Sequence, residues 1–290
     1  MVFLDEDWCF FLQFIHFFGE EEPFVIELDI ALVDELFLHE EIAPSSLRQL
    51  INSLKRSKVL SDPIIVDKKS RVVLDGTHRV SAFREMGFPY ILVAYVDYSN
   101  KLIQLKRWFR VLNGPKDSVV EALRSVKHCE MRISDIDLSI LDDEIAIIKD
   151  DSIFVVEADR DVFEKYSILR ELERKLIKRG VSIDYVTEQE AIEFWSQGKT
   201  ILMTPRITKQ DVIRYAKQNR VLPPKSTRHV FPFRPIFVNF PLNLLSSSNI
   251  EKEMLRAILK EFLLNKIALK IEGRVIIDRF YEENYLLVFV

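Results

Sequence analysis

The chain is poor in cysteine, with Cys9 and Cys129 the two among 290 residues. Two are too few for a disulfide framework and match no metal-ligand spacing, so a reducing, cytoplasmic setting is expected. A dominant charge is missing as well. The formal net charge is −4, with charged residues at 30%, which gives no bulk attraction for a polyanion, and no nucleic-acid partner is expected. Nor is there an apolar run long enough for a bilayer. Trp8 to Phe18 falls short of the roughly 20 residues needed. Asp5, Glu6 and Asp7 stand where an export signal has basic residues, and no small-residue cleavage site follows. The run reads as an extension that packs on the body or on a second subunit; no membrane partner is expected. Internal repeats, low-complexity segments and a convincing helix-turn-helix are also absent.

What the chain does have is apolar residues at 48% and the length for a sizeable core, divided between two lobes. Phe24 to Asp29 reads as a strand. Leu47, Leu50, Ile51 and Leu54 recur at helical spacing after Pro44-Ser45-Ser46, which predicts a helix with a serine cap and one face on the core. Pro63 to Asp67 and Arg71 to Leu74 form a strand pair across Lys68-Lys69-Ser70. The second of these runs into Asp75-Gly76-Thr77-His78-Arg79 and a helix that Gly87 stops. Tyr90 to Asp97 is a further strand, completing a compact α/β lobe over residues 24 to 100.

The 75–79 loop admits two readings. Unpaired amides at a helix start, with His78 and Arg79 beside them, suit a bound anion such as phosphate. Equally, the stretch is a capped turn in which Asp75 satisfies backbone amides. Beyond Asn113 to Asp117 a second alternating series follows, with a strand pair around Lys149-Asp150-Asp151 and a long amphipathic helix over 160–179. Strands at 182–186 and 200–204 and helices at 188–195 and 208–218 complete it. It ends in Val221 to Phe233, where prolines hold the entry extended while Lys225, Ser226, Thr227, Arg228 and His229 crowd together, as a loop presenting donors to an anion requires. A helix near 250–264 and three short strands make up the tail.

Three blocks, Leu38-His39-Glu40, Asp75 to Arg79 and Pro224 to Phe233, in this order and spacing resemble the archaeal free L-serine kinase family, built on a ParB/sulfiredoxin-like nucleotide-binding fold. The resemblance spans about residues 25 to 245. It implies an α/β (α+β) fold in which a ParB/sulfiredoxin-like N-terminal lobe (24–100) and a second α/β lobe (101–245) with a substrate loop at 223–235 flank a cleft. Residues 1–23 and 246–290 are extensions. The implied reaction moves a phosphoryl group from ATP or ADP to the hydroxyl of free L-serine, giving O-phospho-L-serine.

Carried over residue by residue, the resemblance makes Glu40 the general base and Asp75 the Mg²⁺ ligand. Ser53, Asp75, Gly76, Thr77, His78 and Arg79 would hold the nucleotide; Trp108, Lys225, Ser226, Thr227, Arg228 and His229 would hold serine. Many relatives have His where this chain has Thr77, whose hydroxyl is expected to cap the helix. The donor is left open between ATP and ADP, with ATP expected. A role in cysteine biosynthesis and a monomer or homodimer are also implied. The alternative is a ParB-like nucleotide-binding regulator without kinase activity. Sulfiredoxin chemistry is nearly excluded, since Thr77 stands where its cysteine would be.

Overall fold

The computed structural model describes residues 12–16, 23–135, 138–158, 161–277 and 280–290. The chain divides into two compact units: one is formed by the chain up to Gln104 with Ile213–Val221 and His229–Val290, the other by Leu105–Val212 with Leu222–Arg228.

The first unit is built on a five-stranded sheet in the order Leu12–His16, Phe24–Leu32, Tyr90–Val96, Ile64–Asp67, Val73–Asp75. Tyr90–Val96 is buried along nearly its whole length, as befits a central strand of β-branched and aromatic residues. It runs antiparallel to Phe24–Leu32 and parallel to Ile64–Asp67. Helix Pro44–Ser57 packs against helix Thr77–Glu85 and buries Leu47, Ile51 and Leu54. The expected serine cap is not used. Ala43 is the N-cap, with Pro44 in the first turn, where its missing N–H costs nothing.

The N-terminal run falls largely outside the described residues. Its Leu12–His16 part is a strand, and Phe14 packs edge-on against Phe289 at 5.7 Å. The tail is not an appendage to this unit. Strand Phe233–Ile236 pairs in parallel with Tyr285–Phe289, on whose other side lies Ala268–Glu272. Tyr285 stacks on Phe233, which meets Phe24 edge-on. The extension expected at 246–290 thus joins the first unit, with its last strand sealed in the core through Leu286 and Leu287.

The second unit carries a six-stranded sheet in the order Ser182–Val186, Phe109–Asn113, Thr200–Met203, Ile145–Lys149, Ser152–Val156, His128–Arg132. Asp150, at φ 51°, turns the Ile145–Ser152 hairpin. Helix Val162–Lys178 begins at Asp161, whose carboxylate accepts from the Phe163 and Glu164 amides. No helix among the described residues is long and apolar enough to cross a membrane.

Candidate functional site

Gly76 sets the geometry of the 75–79 loop. It is the N-cap of helix Thr77–Glu85 at φ 108°, a conformation that disfavours any side chain, and a Cβ there would lie 2.4 Å from Ile64 Cγ2. No side chain caps this helix, and Thr77, expected to do so, is already its first residue. The leading amides of the helix therefore point where an anion is stabilised.

Asp75 is gripped by two arginines. Its Oδ1 accepts from Arg79 Nη2 at 3.2 Å and its Oδ2 from Arg234 Nη1. Arg79, expected to grip phosphate, also donates through Nη1 to the carbonyls of Asp62 and Pro63 at 2.9 Å each. Its guanidinium fastens the loop to the strand before it. Arg234 was not foreseen. It is buried, and its Nε donates to the equally buried Glu283. Burial by itself would lower the Arg234 pKa, but Asp75 and Glu283 together hold it above the ordinary arginine value.

Glu40 reaches this loop through a backbone pairing. Phe37 forms a parallel bridge with Val72, the Phe37 amide donates to Arg71 O at 3.0 Å, and the Val73 amide donates to Phe37 O at 2.9 Å. Glu40 and Asp75 each lie three residues beyond that bridge in the chain. His39 reinforces the pairing. Its Nδ1 lies 2.8 Å from Val73 O, and since a carbonyl only accepts, Nδ1 carries the proton and Nε2 faces Glu40 Oε1 at 4.0 Å. Burial lowers the His39 pKa below its ordinary 6.5, partly offset by Glu40 and the Val73 carbonyl, so the ring is neutral at pH 7.

His229 belongs to the first unit and joins this cluster, its ring 5.5 Å from that of His39. The Tyr98 hydroxyl lies 2.7 Å from His229 Nε2. Burial, then the charge of Asp67, raises the Tyr98 pKa, so the phenol keeps its proton.

Lys225 to Arg228 belong to the second unit, where they surround Trp108. Trp108 Nε1 donates to Thr227 O at 3.2 Å, while Lys225 Nζ and the Arg228 guanidinium lie 4.7 and 5.4 Å from the ring centroid. Trp108 O accepts from buried Arg110 and from Thr204 Oγ1, which hold the indole in place. Ser226 departs from the expectation of a presented hydroxyl. It is fully buried, its Oγ donates to Pro223 O at 2.7 Å, and its carbonyl accepts from the Tyr166 hydroxyl at 3.0 Å. It shapes the loop from within. Ser53 is exposed on the outward side of helix Pro44–Ser57.

No cluster of three or more potential metal ligands occurs among the described residues. Asp75 with both oxygens on arginines does not form part of a protein cage. A magnesium ion that arrives on nucleotide phosphates needs few protein oxygens, and Asp75 is the residue that would hold one here.

No family model matches the chain. The ATP-dependent L-serine kinase of Staphylothermus marinus is 28% identical over 244 residues, covering 77% of this chain and 91% of that protein. The chain is a relative of the archaeal L-serine kinases. The ADP-dependent L-serine kinase SerK of Thermococcus kodakarensis is 22% identical over 221 residues, 73% of this chain and 90% of its own. A solved free serine kinase in complex with AMP superposes with a TM-score of 0.64 at 21% identity, over 75% of this chain and 93% of that one. That solved kinase shares the mixed α/β fold of this chain.

Proposed function

We propose that the chain is a kinase that phosphorylates the hydroxyl of free L-serine, with Glu40 as general base. The observation that supports this reading is the parallel bridge Phe37–Val72, with the His39 ring on Val73 O, which joins the segment carrying Glu40 to the strand that leads into Asp75 and Gly76. In such a site the serine hydroxyl gives its proton to Glu40 as its oxygen bonds to the terminal phosphorus. The bond from that phosphorus to the nucleotide's bridging oxygen breaks, and the shortened nucleotide leaves. Neutral His39 beside Glu40 adds no positive charge that would weaken the base.

The nucleotide phosphates fall to the amides of Gly76 to Arg79 and to His78, with Asp75 as the one carboxylate available to Mg²⁺. Bound there, the ion would offset phosphate charge. Arg79 and Arg234 position Asp75. His229 stands with His39 in the unit that carries Glu40, and within the second unit Lys225, Thr227 and Arg228 beside Trp108 are donors of the kind that suits a carboxylate. ATP is the expected donor, in line with the 28% identical relative; ADP is the competitor.

Purified protein with Mg²⁺, L-serine and either nucleotide is expected to yield phosphoserine by mass spectrometry. The absence of product with both nucleotides, from protein that binds them, would overturn the assignment.

A further inference from the structure

The C-terminal sheet of the first unit ends abruptly. In the order Phe233–Ile236, Tyr285–Phe289, Ala268–Glu272, the last strand is an edge among the described residues. Leu286 and Val288 of the central strand belong to a buried cluster with Ile236 and Tyr281. Their register partners Ile271 and Leu269 continue that apolar face onto the edge strand, but are 36% and 47% exposed. Ile267, just before the strand, is 65% exposed. An apolar face that runs out into solvent at an open strand edge is incomplete as it stands.

The backbone shows what would complete it. Ile267 and Val290 exchange both amide bonds, at 3.1 and 3.0 Å, and the Gly273 amide donates to Asn284 O at 2.8 Å. By antiparallel alternation, residues 267, 269, 271 and 273 turn their backbone groups inward to the central strand, and Ala268, Lys270 and Glu272 turn theirs outward. A second antiparallel copy must form its hydrogen-bonded pairs from these three positions. A two-fold axis at Ile271 sets Lys270 opposite Glu272 of the second copy, twice. A shift of the axis by one residue either way sets Lys270 against Lys270 or Glu272 against Glu272.

We propose that two copies of this chain associate edge to edge through Ala268–Glu272, antiparallel, with the two-fold axis at Ile271. A lone lysine on an edge strand discourages pairing. Here Glu272, already 2.6 Å from Lys270 within one chain, supplies the complement, and the two exchange partners across the axis. Leu269 and Ile271 are covered as the face extends across both copies.

The test uses the full chain. Light scattering on the size-exclusion peak should give twice the chain mass; Lys270→Glu should shift it to the single mass, and Lys270→Glu with Glu272→Lys should restore the doubled mass. In a Cys9→Ser, Cys129→Ser background, Ile271→Cys should cross-link to its own copy on mild oxidation, because the pair at the axis is the close, non-hydrogen-bonded kind with Cα atoms about 4.5 Å apart. Lys270→Cys should not. A single-mass wild-type protein overturns the proposal. So does a dimer in which the charge swap does not restore association and Ile271→Cys does not cross-link, since it would use another face.

Discussion

At the scale of single residues, the Glu40 carboxylate and the Arg234 guanidinium have opposite duties. Glu40 is half-buried and set beside neutral His39, and a carboxylate there is of the type that takes a proton from a hydroxyl. Glu40→Gln removes the base and keeps the shape. Turnover is expected to fall by about 10²–10⁴-fold while nucleotide affinity by calorimetry stays within a factor of two to three of wild type, about 0.5 kcal/mol. Retained turnover would give the proton to another group. Arg234 is committed to two carboxylates, Asp75 and Glu283. Arg234→Met takes one of its two arginines from Asp75 and the arginine from buried Glu283, and a buried charge left unpaired costs about 3–5 kcal/mol. A urea midpoint unchanged from wild type would show that the pair adds nothing to stability.

At the scale of elements, the strand–turn–helix through Asp75 depends on one backbone conformation. Gly76→Ala puts a Cβ into Ile64 at φ 108°. The expected cost is about 1–3 kcal/mol, with weakened nucleotide binding, since the amides after Gly76 are displaced together. A melting curve with a nucleotide titration reads both. This element was legible in the residues because its signals are local: three apolar β-formers, one glycine, then a helical pattern. The long helix Val162–Lys178 and the hairpin turning at Asp150 were legible for the same reason. Phe109–Asn113 was not read as a strand, although it lies between Ser182–Val186 and Thr200–Met203 in the sheet. Its neighbours begin 69 positions further along the chain, so no short-range pattern marks it.

At the scale of the whole molecule, stability should depend on pH through His39, which faces Glu40, the Val73 carbonyl and the His229 ring. Above its ordinary 6.5 the ring is neutral in both folded and unfolded chains and contributes no pH dependence. Below it the unfolded chain binds the proton first, so stability falls with pH until the lowered folded value is passed. Urea midpoints across about pH 5 to 8 should fall on the acid side, and His39→Asn, which keeps a donor near Val73 O, should flatten that slope. An equal slope in the variant would assign the acid sensitivity elsewhere.

The residues themselves determined the α/β class, the Asp75 loop, the helical and strand segments with strong local periodicity, and the likeness to archaeal L-serine kinases. Those properties follow from neighbours in the chain. Tertiary structure decided the rest. Asp75 is held by Arg234, 159 positions away, Ser226 turns inward rather than outward, and His229 parts company with Lys225 to Arg228 to join Tyr98 and His39. The last strand of the tail became core, with Leu286 and Leu287 sealed in it. In each case a polar or apolar group found its partner only after distant segments had packed, and burial, which sets what a charge or hydroxyl can do, is a property of that packing and not of the residue.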